Sequence, residues 1–357
     1  SVGSRSWCPH LTAGGQIASL SHDFPGVEIR PGERDDQRKI TVLAILQSTD
    51  SCVLPARRVE NLHFRGGETV MVIVVTDSCA SVPEPMVTEL GVEVVPYYVH
   101  SARGTLRDNV DLPGDEFYAW LRSAPEWPTT ANPSAGEYLE AYREAARRGD
   151  GVVAVSITGA GSGGYQSALL AKRLAEKEMP GFPIEVVDTC QVAMAHGWAV
   201  IQAARAALKG LSLAEVVDVA RTIAEQAFVG FTNDTLEYLQ RGGRIGKVTS
   251  MMGDLLNIKP VIGMRGGMPA PLGVARSRTG AYKRIVALAL NRIPEGSTVR
   301  AALMHVAARD EVEKFRALLE ERYSVIEWVV AQLAPSLGVH SGPGTVGISI
   351  IPDTPLG

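Results

Sequence analysis

Alternation of strand-like and helix-like segments is the feature that most constrains the fold of this chain. From Met71 onward, short apolar runs are typical of buried strands, at 71–75, 92–99, 152–157 and 184–188. Runs that predict helices lie between and after them, at 136–148, 165–178, 191–208 and 213–227. Such alternation is typical of a parallel sheet with helices on both faces. We therefore predict an α/β fold with a mostly parallel sheet and flanking helices.

A second block of elements follows the last of these helices. Strand-like runs near 228–232, 299–306 and 345–351 enclose two amphipathic stretches, around 280–291 and 310–322. The helix that begins at the Ser212–Glu215 capping box must end near Phe228–Asn233, which places a domain break there. We expect an α/β domain over 71–228 and a smaller α+β domain over 229–352.

Residues 1–70 differ from the rest of the chain. They are of mixed polarity with scattered Gly and Pro, show no sustained period, and contain no methionine before Met71. We expect Met71 to lie near the natural start and 1–70 to be a non-native extension, such as mis-assigned upstream translation. A genuine, disordered extension is the alternative. The intact mass of the natively expressed protein would distinguish them.

Composition excludes several classes of function. The 357 residues are 45% hydrophobic and 21% charged, with a formal net charge of -4, as in an ordinary soluble globular protein. No cluster of Lys and Arg offers a surface for nucleic acid. No apolar run is long enough to span a membrane and no signal peptide is evident, so we expect a cytoplasmic protein.

The cysteines and histidines give no metal or redox motif. The four cysteines lack CxxC spacing and the seven histidines form no HExxH pair, so we expect free thiols and no bound metal. Cys190, directly after a predicted strand, is expected to be a small buried side chain.

Two hydroxyl-bearing loops, at 128–137 and 156–168, precede predicted helices. Backbone N–H groups and the positive end of the helix dipole favour a carboxylate or phosphate at such positions. Thr130 and Ser162 are therefore candidate ligands for an anion. Ser78 ends the first predicted strand, where ligands gather in open α/β sheets, although it also fits a turn or cap.

Several motifs, taken together and in order, resemble those of the DegV family of bacterial fatty-acid-binding proteins. They are TDSC at 76–79, TTANPS at 129–134, SGGYQSA at 162–168, DTLEYLQRGGRIGK at 234–247, LLNIKP at 255–260 and HSGPGTVG at 340–347. The resemblance runs from Met71 to about Ile351 and leaves 1–70 uncovered.

The resemblance implies a non-enzymatic carrier without a cofactor. Family members hold one long-chain fatty acid in an apolar tunnel between two domains and present it to a fatty acid kinase, which forms an acyl phosphate for phospholipid synthesis. By the matching motifs, Thr130 and Ser162 would bind the carboxylate, with Arg244 and His340 in support. Transient contact with a membrane surface also follows. The loops depart from the family pattern at 130–134 and 161–164, which leaves the acyl preference open.

Four apolar residues are candidates for the tunnel lining, and the roles that the resemblance implies for Arg244 and His340 have alternatives. Met251, Met252, Leu255 and Leu256 would line the tunnel or simply fill the core. Arg244 would pair with the ligand, with Glu237 or with a partner protein, and His340 would otherwise be structural.

Two other classes of function remain at this point. The segment around Ser162 is close to the G-x-S-x-G elbow of serine hydrolases, with His305 or His340 as base. Ala160 replaces the first glycine, however, and no acid completes a triad. A phosphate-binding enzyme is disfavoured because GxxxxGK[ST] is missing.

Overall fold

The computed structural model describes residues 71–111, 113–249 and 258–354, and of the earlier chain only a short strand pair. The strands are β1 (Val27–Glu28), β2 (Leu43–Ala44), β3 (Val72–Asp77), β4 (Glu93–Val95), β5 (Tyr98–Ser101), β6 (Gly104–Arg107), β7 (Thr129–Ala131), β8 (Gly151–Ser156), β9 (Ile184–Asp188), β10 (Phe228–Thr232), β11 (Lys259–Arg265), β12 (Met268–Ala275), β13 (Thr298–His305), β14 (Ser324–Gln332) and β15 (Val346–Pro352). The helices are α1 (Glu84–Leu90), α2 (Gly114–Leu121), α3 (Ala135–Ala146), α4 (Gly164–Glu178), α5 (Ala193–Leu208), α6 (Leu213–Gln226), α7 (Glu237–Arg241), α8 (Arg278–Leu290), α9 (Val312–Glu320) and α10 (Pro335–Ser341).

Residues 1–69 and 70–357 cluster as two separate units. In the first unit, β1 pairs with β2 in antiparallel fashion. The prediction that 1–70 are an extension otherwise concerns residues outside those described, as does the predicted tunnel lining by Met251, Met252, Leu255 and Leu256.

A parallel sheet organises the first half of the second unit. Its strand order is β4-β3-β8-β9, and every neighbouring pair is parallel. All residues of β3 and β8 are buried, as expected for strands covered on both faces. Helices α3 and α4 pack on one face, and α5 and α6 on the other. The predicted mostly parallel sheet with flanking helices is confirmed.

A six-stranded sheet dominates the second half. Its order is β12-β11-β10-β15-β13-β14, antiparallel except between β13 and β14. Helices α8 and α9 cover one face, while α5 and α6, already packed on the parallel sheet, contact strands of this sheet as well. Two helical layers therefore flank the pair of sheets and a third lies between them. The division at 228/229 stays a prediction, since 70–357 forms one unit.

A small antiparallel sheet, β6-β5-β7, carries the first hydroxyl loop. The run 92–99 predicted one strand, but the chain forms β4 and β5 with Pro96 between them. Proline lacks the N–H that would continue the ladder, which accounts for the interruption. Thr130 lies in β7, opposite Val99 of β5.

Two local predictions had opposite outcomes. The capping boxes at Ser134 and Ser212 are both formed and begin α3 and α6. The prediction that Cys190 is buried is wrong, because its side chain is exposed. Its φ of 52° places it in a tight turn after β9, where Asp188 accepts its backbone N–H.

Candidate functional site

One cavity lies between the carboxyl ends of the parallel strands and the inner face of the six-stranded sheet. Its volume is about 950 Å³, including the part that opens to solvent. Most of its lining is apolar and includes Ile157, Val229, Phe231, Met264, Met304 and Leu337. An apolar cleft with a few convergent polar groups is the usual form of a small-molecule site.

Thr130 and His340 form the first polar pair in this cavity. Thr130 Oγ1, on β7, lies 2.9 Å from His340 Nε2, on α10. Burial, with the positive charge of Arg244 beside it, lowers the pKa of His340 to about 4, so the imidazole is neutral near pH 7. The other ring nitrogen, Nδ1, is buried and has no hydrogen-bond partner in the described part of the chain.

Ser162 and Tyr97 form the second pair. Ser162 lies in the glycine-rich turn before α4, and its Oγ is 2.6 Å from the Tyr97 hydroxyl. A Cβ at Gly164 would lie 2.2 Å from that phenol oxygen, so the approach requires glycine there. Both hydroxyl loops of the sequence analysis thus reach the same cavity.

Arg244 also lines the cavity, from an exposed position after α7. Its Nη1 donates to the carbonyl of Gly242 at 2.8 Å. The alternative pairing with Glu237 is not formed, because Glu237 pairs with Arg241.

Ser78 is placed differently from the other four candidates. It is buried and is not part of the cavity wall. Its Oγ donates to Asp108 at 2.8 Å and accepts the N–H of Tyr97 at 3.0 Å. Burial raises the pKa of the Asp108 carboxyl to about 6, opposed by hydrogen bonds from Ser336 and Ser78.

Tyr97 and Ser336 are cavity residues that the sequence did not predict. Ser336 begins α10, and both its N–H and its Oγ donate to Asp108. Neither residue belongs to a recognisable local motif. Tyr97 follows a proline within a strand-like run, so only its long-range approach to Ser162 identifies it.

Among the described residues, Ser162 lacks the histidine contact of a serine hydrolase, and no group of side chains is arranged as a metal site. Ser162 has neither His305 nor His340 as a hydrogen-bond partner there, and Tyr97 occupies the position next to its hydroxyl. Across the same residues, no group of three or more His, Cys, Asp or Glu side chains is arranged to hold a metal ion. No helix among them is long and apolar enough to cross a membrane.

Comparison with known proteins identifies related chains over most of the length. Residues 71–353 match the DegV family, which is described as a family of uncharacterised proteins. A DegV domain-containing protein of Streptomyces coelicolor is 32% identical over 281 residues, covering 78% of this chain and 98% of the relative.

Solved structures give the same relationship. A DegV family protein from Thermus thermophilus, described for its fatty acid binding, is 33% identical with a TM-score of 0.74 and covers 79% of this chain and 99% of its own. A stearic-acid-binding protein from Eubacterium ventriosum is 27% identical with a TM-score of 0.70, covering 78% and 97%.

Proposed function

Because the chain belongs to the DegV family, we propose that it binds one long-chain fatty acid in the cavity described above. The carboxylate contacts the hydroxyls of Thr130 and Ser162, and the acyl chain lies against the apolar wall. His340 and Arg244 support the headgroup end, while Ser78 acts indirectly through Tyr97.

The observation that carries this proposal is the convergence of both hydroxyl loops on one apolar cavity. A carboxylate buried without partners would be costly, whereas charge-assisted bonds from two hydroxyls and a nearby guanidinium would satisfy it. Each buried methylene would contribute about 0.8 kcal/mol before the costs of association, so the acyl chain supplies most of the affinity. A neutral His340 leaves the positive charge to Arg244.

The same proposal includes a protein partner. Because Arg244 is exposed at the cavity, the headgroup end lies near the surface, where a separate fatty acid kinase would reach the carboxylate. The kinase would then transfer the γ-phosphoryl group of a nucleoside triphosphate to a carboxylate oxygen, giving an acyl phosphate and the nucleoside diphosphate, with the present chain supplying specificity. Pull-down of a kinase by the lipid-loaded protein tests this part, with loss of capture expected in Arg244→Ala at a stearate concentration that saturates the variant.

Extraction of the purified protein under denaturing conditions, followed by mass spectrometry, tests the ligand class. We expect a long-chain fatty acid in stoichiometric amount. A protein that carries no such lipid and also rejects added stearate would contradict the proposal.

Paired variants test the headgroup assignment. The double variant Thr130→Ala, Ser162→Ala removes two hydrogen bonds to a charged group, each contributing about 1.5–3 kcal/mol, so stearate affinity should fall at least about a hundredfold. Thr129→Ala is the matched control, since Thr129 is the exposed neighbour in β7 and does not line the cavity. Full affinity in the double variant would refute the assignment.

A further inference from the structure

We propose that Tyr97 is a positioning residue, which donates its phenolic hydrogen to Ser162 and thereby directs the hydrogen of Ser162 toward the ligand carboxylate. This inference rests on the proposed function and names how one of its two headgroup hydroxyls is oriented.

The direction of the hydrogen bonds follows from the chemistry of the three groups. The oxygens of Tyr97 and Ser162 lie 2.6 Å apart, and either hydroxyl can donate to the other. An ionised carboxylate accepts hydrogen bonds and cannot donate one. Ser162 has a single hydrogen, so contact with the ligand uses that hydrogen and leaves its oxygen to accept from Tyr97. Burial raises the pKa of Tyr97, which keeps the phenol protonated as a donor.

Tyr97 is held in place from several sides. Its side chain is 5% exposed. Its N–H donates to Ser78 Oγ, and Ser78 in turn donates to the buried carboxylate of Asp108. Gly164 provides the space for its hydroxyl at the start of α4. A hydroxyl fixed before the ligand arrives reduces the ordering that binding requires.

The same contacts account for Ser78, which lies outside the cavity wall. Asp108 accepts hydrogen bonds from Ser78 and from Ser336, at the start of the helix that carries His340. One buried carboxyl therefore connects the backbone of Tyr97 with α10. Tyr97, the partner of Ser162, and His340, the partner of Thr130, thus both belong to segments that are hydrogen-bonded to Asp108, directly or through Ser78.

Binding of stearate and octadecanol to delipidated protein tests the role. In Tyr97→Phe the Ser162 hydroxyl loses its donor, and stearate affinity should fall about tenfold. Octadecanol, whose neutral headgroup makes weaker hydrogen bonds, should lose no more than about threefold. A general disturbance of the cavity would weaken both ligands equally, and that result would overturn the proposal.

A double-mutant cycle with Ser162→Ala isolates the coupling. Tyr97→Phe should have no further effect on stearate binding once Ser162 is alanine, because the group that it positions is gone. Independent, multiplicative losses would overturn the proposal, even though stearate binding by the wild type would leave the proposed function intact. Wild-type protein that does not bind stearate would instead contradict the proposed function itself.

Two further variants keep the test decisive. Gly164→Ala leaves Tyr97 in the chain but places a Cβ against its hydroxyl, so it should reproduce the selective loss for stearate. Tyr142→Phe is the matched control, because that hydroxyl donates to the Ala168 carbonyl at 3.1 Å and does not line the cavity. Equal losses in Tyr142→Phe and Tyr97→Phe would overturn the assignment.

Discussion

At the scale of single residues, the polar end of the cavity, around Thr130 and His340, depends on close approaches that only glycine permits. A Cβ at Gly242 would lie 2.0 Å from His340 Nδ1, which is too close for two non-bonded atoms. Gly242 has ordinary helical φ and ψ angles, so alanine there strains the ring contact and not the backbone. Glycine at this position therefore fixes where the imidazole lies.

We expect Gly242→Ala to move His340 away from Thr130 and to weaken stearate binding by about tenfold, the loss of one good hydrogen bond. Isothermal titration of delipidated protein measures this directly. Gly136→Ala in α3 serves as the control, since the nearest atom to its added Cβ is 3.7 Å away. Affinities equal to wild type in both variants would contradict this account of Gly242.

The depressed pKa of His340 predicts a pH dependence of stability. Between about 4 in the folded protein and the ordinary 6.5, the unfolded chain binds more protons than the folded one. The contribution of His340 is therefore fully present above about pH 6.5 and is lost as the pH falls toward 4.

Denaturant unfolding of wild type and His340→Gln across this range measures the effect. The free energy of unfolding of the wild type should rise relative to the variant, by about 2 kcal/mol from pH 4 to 6.5 after allowance for partial exposure of the ring. Asp108, with a raised pKa, acts in the opposite direction in both proteins and cancels from the difference. A difference independent of pH would refute the prediction.

Sequence motifs identified Thr130, Ser162, Arg244 and His340, all of which line the cavity. Each belongs to a short run rich in Gly, Pro or hydroxyl residues, whose local pattern is visible in the chain. Asp108 was missed, because its three hydrogen bonds come from two distant residues, Ser78 and Ser336. A buried carboxyl that works through long-range hydrogen bonds leaves no local pattern.

At the scale of elements, helix starts were the most predictable feature. The Ser134 hydroxyl accepts the N–H of Glu137, and the Glu137 carboxylate accepts the N–H of Ser134. Such reciprocal bonds depend on residues three apart, so the sequence shows them directly.

Variants at the Ser134 cap and at Thr130 distinguish an effect on stability from an effect on ligand binding within one loop. We expect Ser134→Ala to lower the free energy of unfolding by about 1 kcal/mol, the usual effect of losing an N-cap. Stearate affinity should stay within about twofold of wild type, because Ser134 does not line the cavity, whereas Thr130 four residues earlier does. Thermal unfolding and titration of Ser134→Ala and Thr130→Ala side by side provide the measurement. A large affinity loss in Ser134→Ala would contradict this division.

Strands of the second half were only partly predicted, for a physical reason. β12 contains Pro269 and Pro271, which disfavour a strand from local propensity. It lies at an edge of the six-stranded sheet, so one side of the strand has no neighbouring strand to hydrogen-bond. Proline, which lacks a backbone N–H, is tolerated at such a position. Whether a segment that contains proline forms a strand therefore depends on its position in the sheet, which the local sequence pattern does not encode.

At the scale of the whole molecule, α5 explains how two sheets share one site. It packs between them and is buried along nearly its full length, including Trp198 and Met194. The start of α5 and the inner face of the six-stranded sheet meet at the cavity, where Ala193 and Val229 both contribute to the wall. The shape of the cavity therefore depends on packing across the layers.

A second, open cleft, with a volume of about 1080 Å³ including its solvent-exposed part, adjoins the first cavity, and both are lined by Val229, Met264 and Gly267. Among these, Met264 has the longest side chain and is only partly buried. Because Met264 belongs to both linings, we infer that its size limits how far a ligand in the first cavity extends toward the second.

We expect Met264→Ala to join the cavities and to favour longer acyl chains. Four added methylenes would contribute up to about 3 kcal/mol if buried, so affinity for docosanoate relative to stearate should rise at least tenfold. Competition between the two acids measures this ratio without reference to overall stability, which the truncation lowers by about 2–3 kcal/mol. Met179→Ala, at the end of α4 and outside both cavities, is the control. An unchanged ratio in Met264→Ala would show that the acyl chain does not end at this wall.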